Sequence, residues 1–504
     1  MKGAFHDASQ EPLDVEVDVV VIGSGAGGGA AARTLTDAGL SVLVLEEGPY
    51  IEAAMLGFKA FDSLNKMMRN GGHQAAIGKA AMPIIQACVV GGTTFVNSAI
   101  IWRLPEKVLA QWQKEHGLAD GFRANELDDA YAQLERDMFV REVEAANVNG
   151  SDRKMALGAA AAGIEHRAIH RNERECKGSG RCLHGCHNNA KQSTAINYLR
   201  RAAELGAQVF SHARADVILR ENGKAVGVRG TARGNGPRAG MSFTARARRA
   251  VIVAASVIQS PNLLRRNGIG RDNDALGNHF MAHPGTSLVG LYKDPVNTWT
   301  GAAQGYEAYG LRDTLGIKFE SINVPPEVAA SRLPGFGASY QKMLERMPHM
   351  AIWSAAIKAD GVGSVRPSRL LGGDLIRYNM IEADFVRLRQ GLKRLAEMHF
   401  LAGATEVLPG VHGLPDSIQA DQLSVFDSAP LDGTGYGIIA THLFGTCRAG
   451  SDTQHSVVDG NLQVHHTPNL YVMDASVFPS NTGVNPQHSI MAIATMAARR
   501  LASA

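Results

Sequence analysis

The chain has few cysteines for its length: five in 504 residues, Cys88, Cys176, Cys182, Cys186 and Cys447. A sparse, odd set excludes a disulfide-stapled scaffold and is expected of a reducing compartment. Long apolar runs are lacking as well. Stretches such as 250–258 and 490–498 fall well short of the ~20 residues needed to span a bilayer. Residues 1–16 are polar and acidic, without the apolar core of a secretory leader. A cytoplasmic location is therefore expected, with peripheral membrane contact left open. No charge of one sign dominates: 51 Lys and Arg against 48 Asp and Glu leave a net +3. That balance, spread along the chain, argues against a nucleic-acid partner.

Glycine is in surplus, 55 of 504 residues or about 11% against a usual ~7%. Glycine weakens helix and strand interiors, so a surplus implies tight turns or close approaches of backbone to a ligand. At about 150 residues per domain the length suggests roughly three domains, or two large ones.

The first such turn is Gly23-Ser24-Gly25-Ala26-Gly27-Gly28. It follows an apolar strand pattern (Asp14–Ile22) and precedes a helical one (Ala30–Ala38), with a second strand pattern at Ser41–Leu45. G-x-G-x-x-G in that setting is a dinucleotide loop. Gly23 permits the turn, Gly25 lets backbone approach a pyrophosphate, and Gly28 lets helix and strand pack closely. The free N–H groups and positive dipole end of the helix then face the phosphates. Glu46, 18 residues beyond Gly28, is placed like the acid that bonds a ribose hydroxyl. The motif does not choose between FAD and NAD.

Further along, Glu106–Arg141 is helical in pattern, and Gln208–Val228 reads as short strands with a turn at Glu221-Asn222-Gly223. Ala250–Ala254 reads as a strand, followed by a helix opening at Ser260-Pro261. A last helix is expected from Pro486 to Leu501. Residues 286–431 carry weaker signals and read as a separate lobe, so the fold class is α/β. A Rossmann-like, discontinuous cofactor domain (14–120, 190–285, 432–504) is expected beside a substrate or cap domain (121–189, 286–431). Within the lobe, Trp299, Trp353, Tyr306, Tyr309, Met347 and Met350 would line an apolar pocket or, as scattered aromatics more often do, fill the core.

Four segments resemble the glucose–methanol–choline (GMC) flavin oxidoreductases: Val90–Ser98 (VGGTTFVNS), Arg249–Gly270, Leu276–Pro284 (LGNHFMAHP), and the C-terminal block His442–Gly450, Asp474–Ser476 and Gly483–Pro486. The last block is similar to cholesterol oxidases in particular. The resemblance implies FAD as the cofactor, held against Gly92, Asn97, Val217, Asp474, Ala475 and Pro486 as well as the phosphate loop. Some members attach the flavin through a histidine just before the asparagine of the first signature. Here that position is Val96, so the FAD is expected to be non-covalent.

The resemblance also implies the activity, oxidation of an alcohol CH–OH to the carbonyl. A base must take the hydroxyl proton while hydride leaves carbon for flavin N5, and a donor must hold the developing alkoxide. His442 and Asn485 match the family's His–Asn pair, with His442 as acid–base and Asn485 as its partner. Histidine suits the work because its ordinary pKa, ~6.5, lies near working pH. Pro486 would open a helix whose N-terminus faces the flavin. His488 is expected in a packed supporting role.

Cys176, Cys182 and Cys186, with Ser179 between, follow C-x2-S-x2-C-x3-C. That spacing resembles a bacterial ferredoxin run with one cysteine replaced, and some family dehydrogenases carry such a segment around a three-iron cluster. The alternatives are a zinc site using His184 or His187, or packed thiols without metal. The ferredoxin-like reading favours a carrier, such as a quinone, cytochrome or partner protein, as electron acceptor. Three other readings stand beside it: an oxygen-using alcohol oxidase, a lyase that keeps FAD only as structure and uses His442 as base, and a flavin-bearing subunit that passes electrons to a partner chain.

Overall fold

The computed structural model describes residues 5–57, 59–270, 273–368 and 373–504; Met1–Ala4 of the polar N-terminal segment lie outside them. Asp14–Ile22 alternates exposed and buried in its first half, and Val19–Ile22 are buried. Those four lie between Val42–Leu45 and Ser242–Val253, both parallel to it. Strands sealed on both faces need such continuous apolar runs. The first sheet runs in the order Phe5–Asp7, Gln208–Ser211, Val42–Leu45, Asp14–Ile22, Ser242–Val253, Lys224–Ala232, Ala213–Glu221, with Leu470–Val472 paired to the end of Ser242–Val253. The expected turn is present: Asn222 (φ 50°) and Gly223 (φ 81°) are both left-handed, as a tight two-residue hairpin demands.

The glycine-rich helix Ala26–Asp37 packs against the last helix, Gln487–Ser503. Small buried residues make that contact close, Ala30–Ala32 on one side and Ala494, Ala497 and Ala498 on the other. One expectation is corrected here. The helix anticipated from Ser260-Pro261 begins earlier, at Ser256, and carries Pro261 inside it through Arg266. Proline has no N–H for the carbonyl four residues back, and that carbonyl, of Val257, accepts instead from Thr446 Oγ1 at 2.6 Å.

The second sheet runs Gln74–Ala76, Met82–Ile84, Ile439–Phe444, Met281–Tyr292, Met350–Ile357, Ile317–Ile322, Tyr306–Ala308, His166–Ala168, with Ala404–Leu408 paired to the far half of Met281–Tyr292. It thus draws on chain from 74–84 and 439–444 as well as from the motif-poor lobe. Helices Gly150–Ala161 and Glu382–Leu401 cover one face. Ile317 packs beneath Gly391 of the longer helix, and Ser321 Oγ donates to Asp152 Oδ1 at 2.6 Å. Alternation along the strand then turns Lys318, Glu320 and Ile322 to the opposite face. That face looks toward the end of the first sheet.

Candidate active site

Between the sheets runs one cleft of ≈ 1500 Å³, larger than a single small-molecule pocket needs and sized for a cofactor and a substrate together. Its first arm is the dinucleotide loop. Gly23 has φ +99°, and a Cβ there would lie 2.3 Å from Ala254 O. Gly28 does not border the cleft; its missing Cβ would lie 1.9 Å from Gly23 O, the close packing expected of it. Gly25 and Gly92 expose bare backbone to the cleft from opposite segments, a Cβ on Gly92 coming within 2.8 Å of Gly25 Cα. Ser24 ties the arm together, donating to Glu46 Oε2 at 2.6 Å while accepting from Gly91 N at 2.9 Å.

Glu46 borders the cleft, with Oε1 held by Gly48 N at 2.9 Å. Burial pushes its carboxyl above the usual range against those hydrogen bonds. Asp474 also borders the cleft. Its carboxylate accepts from Ser256 N (2.9 Å), Ser260 Oγ (2.5 Å) and Ser476 N (2.8 Å), and burial likewise raises its pKa. Asn97, Ala475 and Pro486 line the cleft; Val217 does not, and its neighbours Ala213–Asp216 do. Buried polar atoms of residues on the wall, among them Gln86 Oε1, His184 Nδ1, His283 Nε2, Asn323 Oδ1 and Gln487 Nε2, have no hydrogen-bond partner in the protein. Buried polar groups are normally satisfied, so this wall fits a polar cofactor such as FAD.

His442 and Asn485 meet at the waist of the cleft. His442 sits deep in the molecule on Ile439–Phe444, with its ring bordering the open space. Strand pairing sets His442 opposite His283, and their Nδ1 atoms are 3.0 Å apart. Asn485 directly precedes Pro486, the N-cap of the last helix, and brings Nδ2 to 3.4 Å from His442 Nε2. Burial pushes the His442 pKa down to about 4; Glu320 opposes that shift and Lys318 adds to it. Burial, His442 and Lys318 drive His283 well below its ordinary range too. His488 lies elsewhere, fully buried with Nε2 3.3 Å from Glu135 and its ring against Tyr131.

Lys318, Glu320, Glu307 and His283 were not singled out from sequence. Only His283 lay in a recognisable segment. Lys318 Nζ, 1% exposed, donates to Asn485 Oδ1 (2.7 Å) and forms ion pairs with Glu320 Oε1 (2.7 Å) and Glu307 Oε2 (3.0 Å). The only available signal was a Lys-x-Glu pair in an otherwise apolar strand.

Beyond the waist, strand register grades the floor of the cleft. Gly285, Ala356 and Lys318 form one cross-strand row, Ser287, Ser354 and Glu320 the next, Val289, Ile352 and Ile322 the third, with Leu408 beside Val289. Val324, Val328, Leu333 and Leu414 also line this end. The floor of the far end is aliphatic, and Glu327, Arg332, His412 and Asp416 border the cleft from the same segments. Trp299, Trp353, Tyr306, Tyr309, Met347 and Met350 do not line it; Trp353, for one, stacks on His399 with ring centroids 3.5 Å apart.

The three cysteines border a separate cavity of ≈ 10 Å³, room for about one water. Arg171 Nη2 lies 3.4 Å from Cys182 Sγ, and Lys191 Nζ donates to the carbonyls of Cys182 (2.9 Å) and Asn97 (2.8 Å). Burial raises the Cys176 thiol to about 12. Among the described residues no group of three or more His, Cys, Asp or Glu is placed to hold a metal ion. This arrangement gives the iron–sulfur and zinc readings of the run no support.

The GMC oxidoreductase family models match residues 64–285 and 375–494. A Mycobacterium tuberculosis protein described as an uncharacterized GMC-type oxidoreductase is 35% identical over 468 residues, 92% of this chain and 72% of that one. A long-chain-alcohol oxidase of Arabidopsis thaliana is 26% identical over 94% of this chain and 64% of its own. Among solved structures, pyridoxine 4-oxidase from Mesorbium loti superposes with TM-score 0.69 at 18% identity, covering 96% of this chain and 98% of its own, which shows the shared fold. With the signature segments gathered around one cleft and these matches across nearly the whole chain, the protein belongs to the GMC oxidoreductase family, FAD enzymes that oxidise CH–OH groups.

Proposed function

We propose that this enzyme oxidises a primary or secondary alcohol with an extended apolar body, with His442 taking the hydroxyl proton and Asn485 holding the oxygen. The observation that carries the reading is the graded cleft: a His–Asn pair at its waist, a row of Ser287, Ser354 and Glu320 next to it, and the apolar row Val289, Ile352 and Ile322 beyond. From Lys318 to Ile322 is four residues, or about 14 Å of strand at ~3.4 Å each. That is room for an extended chain on the order of ten carbons, given carbon–carbon bonds of about 1.5 Å. The name of the Arabidopsis relative, a long-chain-alcohol oxidase, points the same way.

FAD, held non-covalently along the Gly23–Gly28 loop, Glu46, Gly92, Asn97 and Asp474, supplies the hydride acceptor. The chain's own residues do the rest. Seated between His442 Nε2 and Asn485 Nδ2, a hydroxyl gives its proton to the imidazole and receives a hydrogen bond from the amide as negative charge grows on oxygen. Glu320 stands beside the imidazolium that results and offsets its charge. The carrier expected from the ferredoxin-like run has no metal site behind it, so the acceptor is settled by assay.

The test is anaerobic mixing of FAD-loaded enzyme with straight-chain primary alcohols of increasing length, a sterol and glucose, followed at the flavin band. Bleaching that strengthens from short to long chains is the expected result. Turnover without bleaching would instead establish the lyase, and bleaching by glucose alone would refute the apolar class. Reoxidation by oxygen or by an artificial carrier then identifies the acceptor.

A further inference from the structure

We propose that Lys318 is a positioning residue: it holds the Asn485 amide in one orientation and thereby fixes His442 as the tautomer with a bare Nε2 at the cleft. The inference rests on the reading of His442 as the acid–base. An ammonium has three protons to donate and no acceptor. Lys318 Nζ donates one to Asn485 Oδ1 at 2.7 Å and is held in place by ion pairs with Glu320 Oε1 and Glu307 Oε2. Each carboxylate is itself held. Glu307 also accepts from Trp102 Nε1 and Arg167 Nε, both at 2.8 Å, and Glu320 from Gln304 Nε2 at 2.9 Å. The oxygen of Asn485 therefore faces Lys318, and its NH₂ must face His442.

That orientation dictates the ring. Asn485 Nδ2 can only donate, so His442 Nε2, 3.4 Å away, is the acceptor and carries no proton. The ring proton of His442 is then on Nδ1, donated to His283 Nδ1 at 3.0 Å. His283 is left with its proton on Nε2, the atom that has no partner in the protein and borders the cleft. Without Lys318 the amide is free to turn over and present Oδ1 to His442. The ring proton would then move to Nε2, and the lone pair would face His283, out of reach of a hydroxyl. The charged and titratable groups facing this ring are His283 from Met281–Tyr292, Lys318 and Glu320 from Ile317–Ile322, and Glu307 behind Lys318.

The test uses FAD-loaded Lys318→Met, Asn485→Ala and the double variant, assayed with the panel alcohol that the wild type oxidises fastest. Lys318→Met is expected to lower kcat on the order of 10²-fold, as loss of an oriented donor does, with KM within about threefold. Lys318→Met on the Asn485→Ala background is expected to cost less than about threefold, because coupled residues are not additive. Histidine-selective ¹⁵N labelling reads the tautomer directly, with the His442 signal identified by its absence in His442→Ala. The wild type is expected to show a protonated Nδ1 and bare Nε2, and Lys318→Met the reverse or a mixture. If the unpaired carboxylates keep Lys318→Met from folding, Lys318→Met/Glu307→Gln/Glu320→Gln removes them and carries the same expectations relative to Glu307→Gln/Glu320→Gln. Additive losses, or an unchanged His442 tautomer, overturn the proposal. Near-normal turnover in His442→Ala would defeat the underlying reading separately.

Discussion

Acidification tests the protonation state of His442. Burial depresses its pKa from 6.5 to about 4, with Glu320 pulling upward and Lys318 downward. A shift of that size is worth roughly 3 kcal/mol in favour of the neutral ring, at about 1.36 kcal/mol per unit. A neutral Nε2 is what a base requires, so kcat/KM is expected to stay on its plateau through pH 6 and fall with an acid limb near 4. An ordinary histidine would put that limb near 6.5. Stability moves in the same window. The folded pKa lies below the unfolded one, so between about 4 and 6.5 the unfolded chain binds more protons. The contribution is therefore complete above 6.5 and lost as pH falls toward 4. His283, depressed mainly by burial and also by His442 and Lys318, acts in the same direction. Circular dichroism and flavin retention, measured at every pH beside kcat/KM, separate the two effects. An acid limb between 6 and 7 with dichroism and flavin unchanged would refute the reasoning.

Loss of the base itself is expected to be severe: His442→Ala should lower turnover by ~10²–10⁴-fold while flavin absorbance of the purified protein stays at the wild-type level. Gly92→Ala places a methyl 2.8 Å from Gly25 Cα at a residue with φ +51°, so the variant should purify with most of its flavin missing, read as the ratio of flavin to protein absorbance. Thr446→Val removes the donor that replaces the helical partner of Val257 O. Leaving that carbonyl unpaired should cost about 1–3 kcal/mol, seen as a lower Tm with flavin content retained.

Legibility followed sequence distance. The dinucleotide loop was readable because strand, turn, helix and acid lie within Asp14–Glu46 and each constrains the next. His442 and Asn485 were readable only because the segments around them resemble those of a family. Lys318 and Glu320 were hidden for a physical reason. In Ile-Lys-Phe-Glu-Ser-Ile the charged positions occupy one face of an alternating strand, a pattern that ordinarily describes a face turned to water. What makes that face internal is pairing with Ala356 and Ser354 and the approach of Asn485, 167 residues away. The cysteine run is the opposite case. Local spacing matched a ferredoxin, but the spacing does not encode the burial of Arg171 and Lys191 beside it.

The buried charges around Lys318 are poorly explained by stability. Taking ions out of water costs several kcal/mol each, and well-packed apolar residues in their place are often neutral or stabilising. Here Lys318 and Arg167 face Glu307 and Glu320, so the set is balanced in charge, and the ammonium has an ion pair with each carboxylate besides its hydrogen bond to Asn485. Such a set tolerates its burial but gains little from it. What it does supply is direction. An apolar side chain at 318 would pack as well and leave the Asn485 amide with two nearly equal orientations, only one of which leaves His442 Nε2 bare. A cation pinned by two carboxylates and donating to Asn485 Oδ1 removes that choice before substrate arrives. On this account the cost of burying Lys318 belongs to catalysis, and the double variant with Asn485 is the measurement that separates the two explanations. A stability role predicts that the two losses add; a positioning role predicts that they overlap.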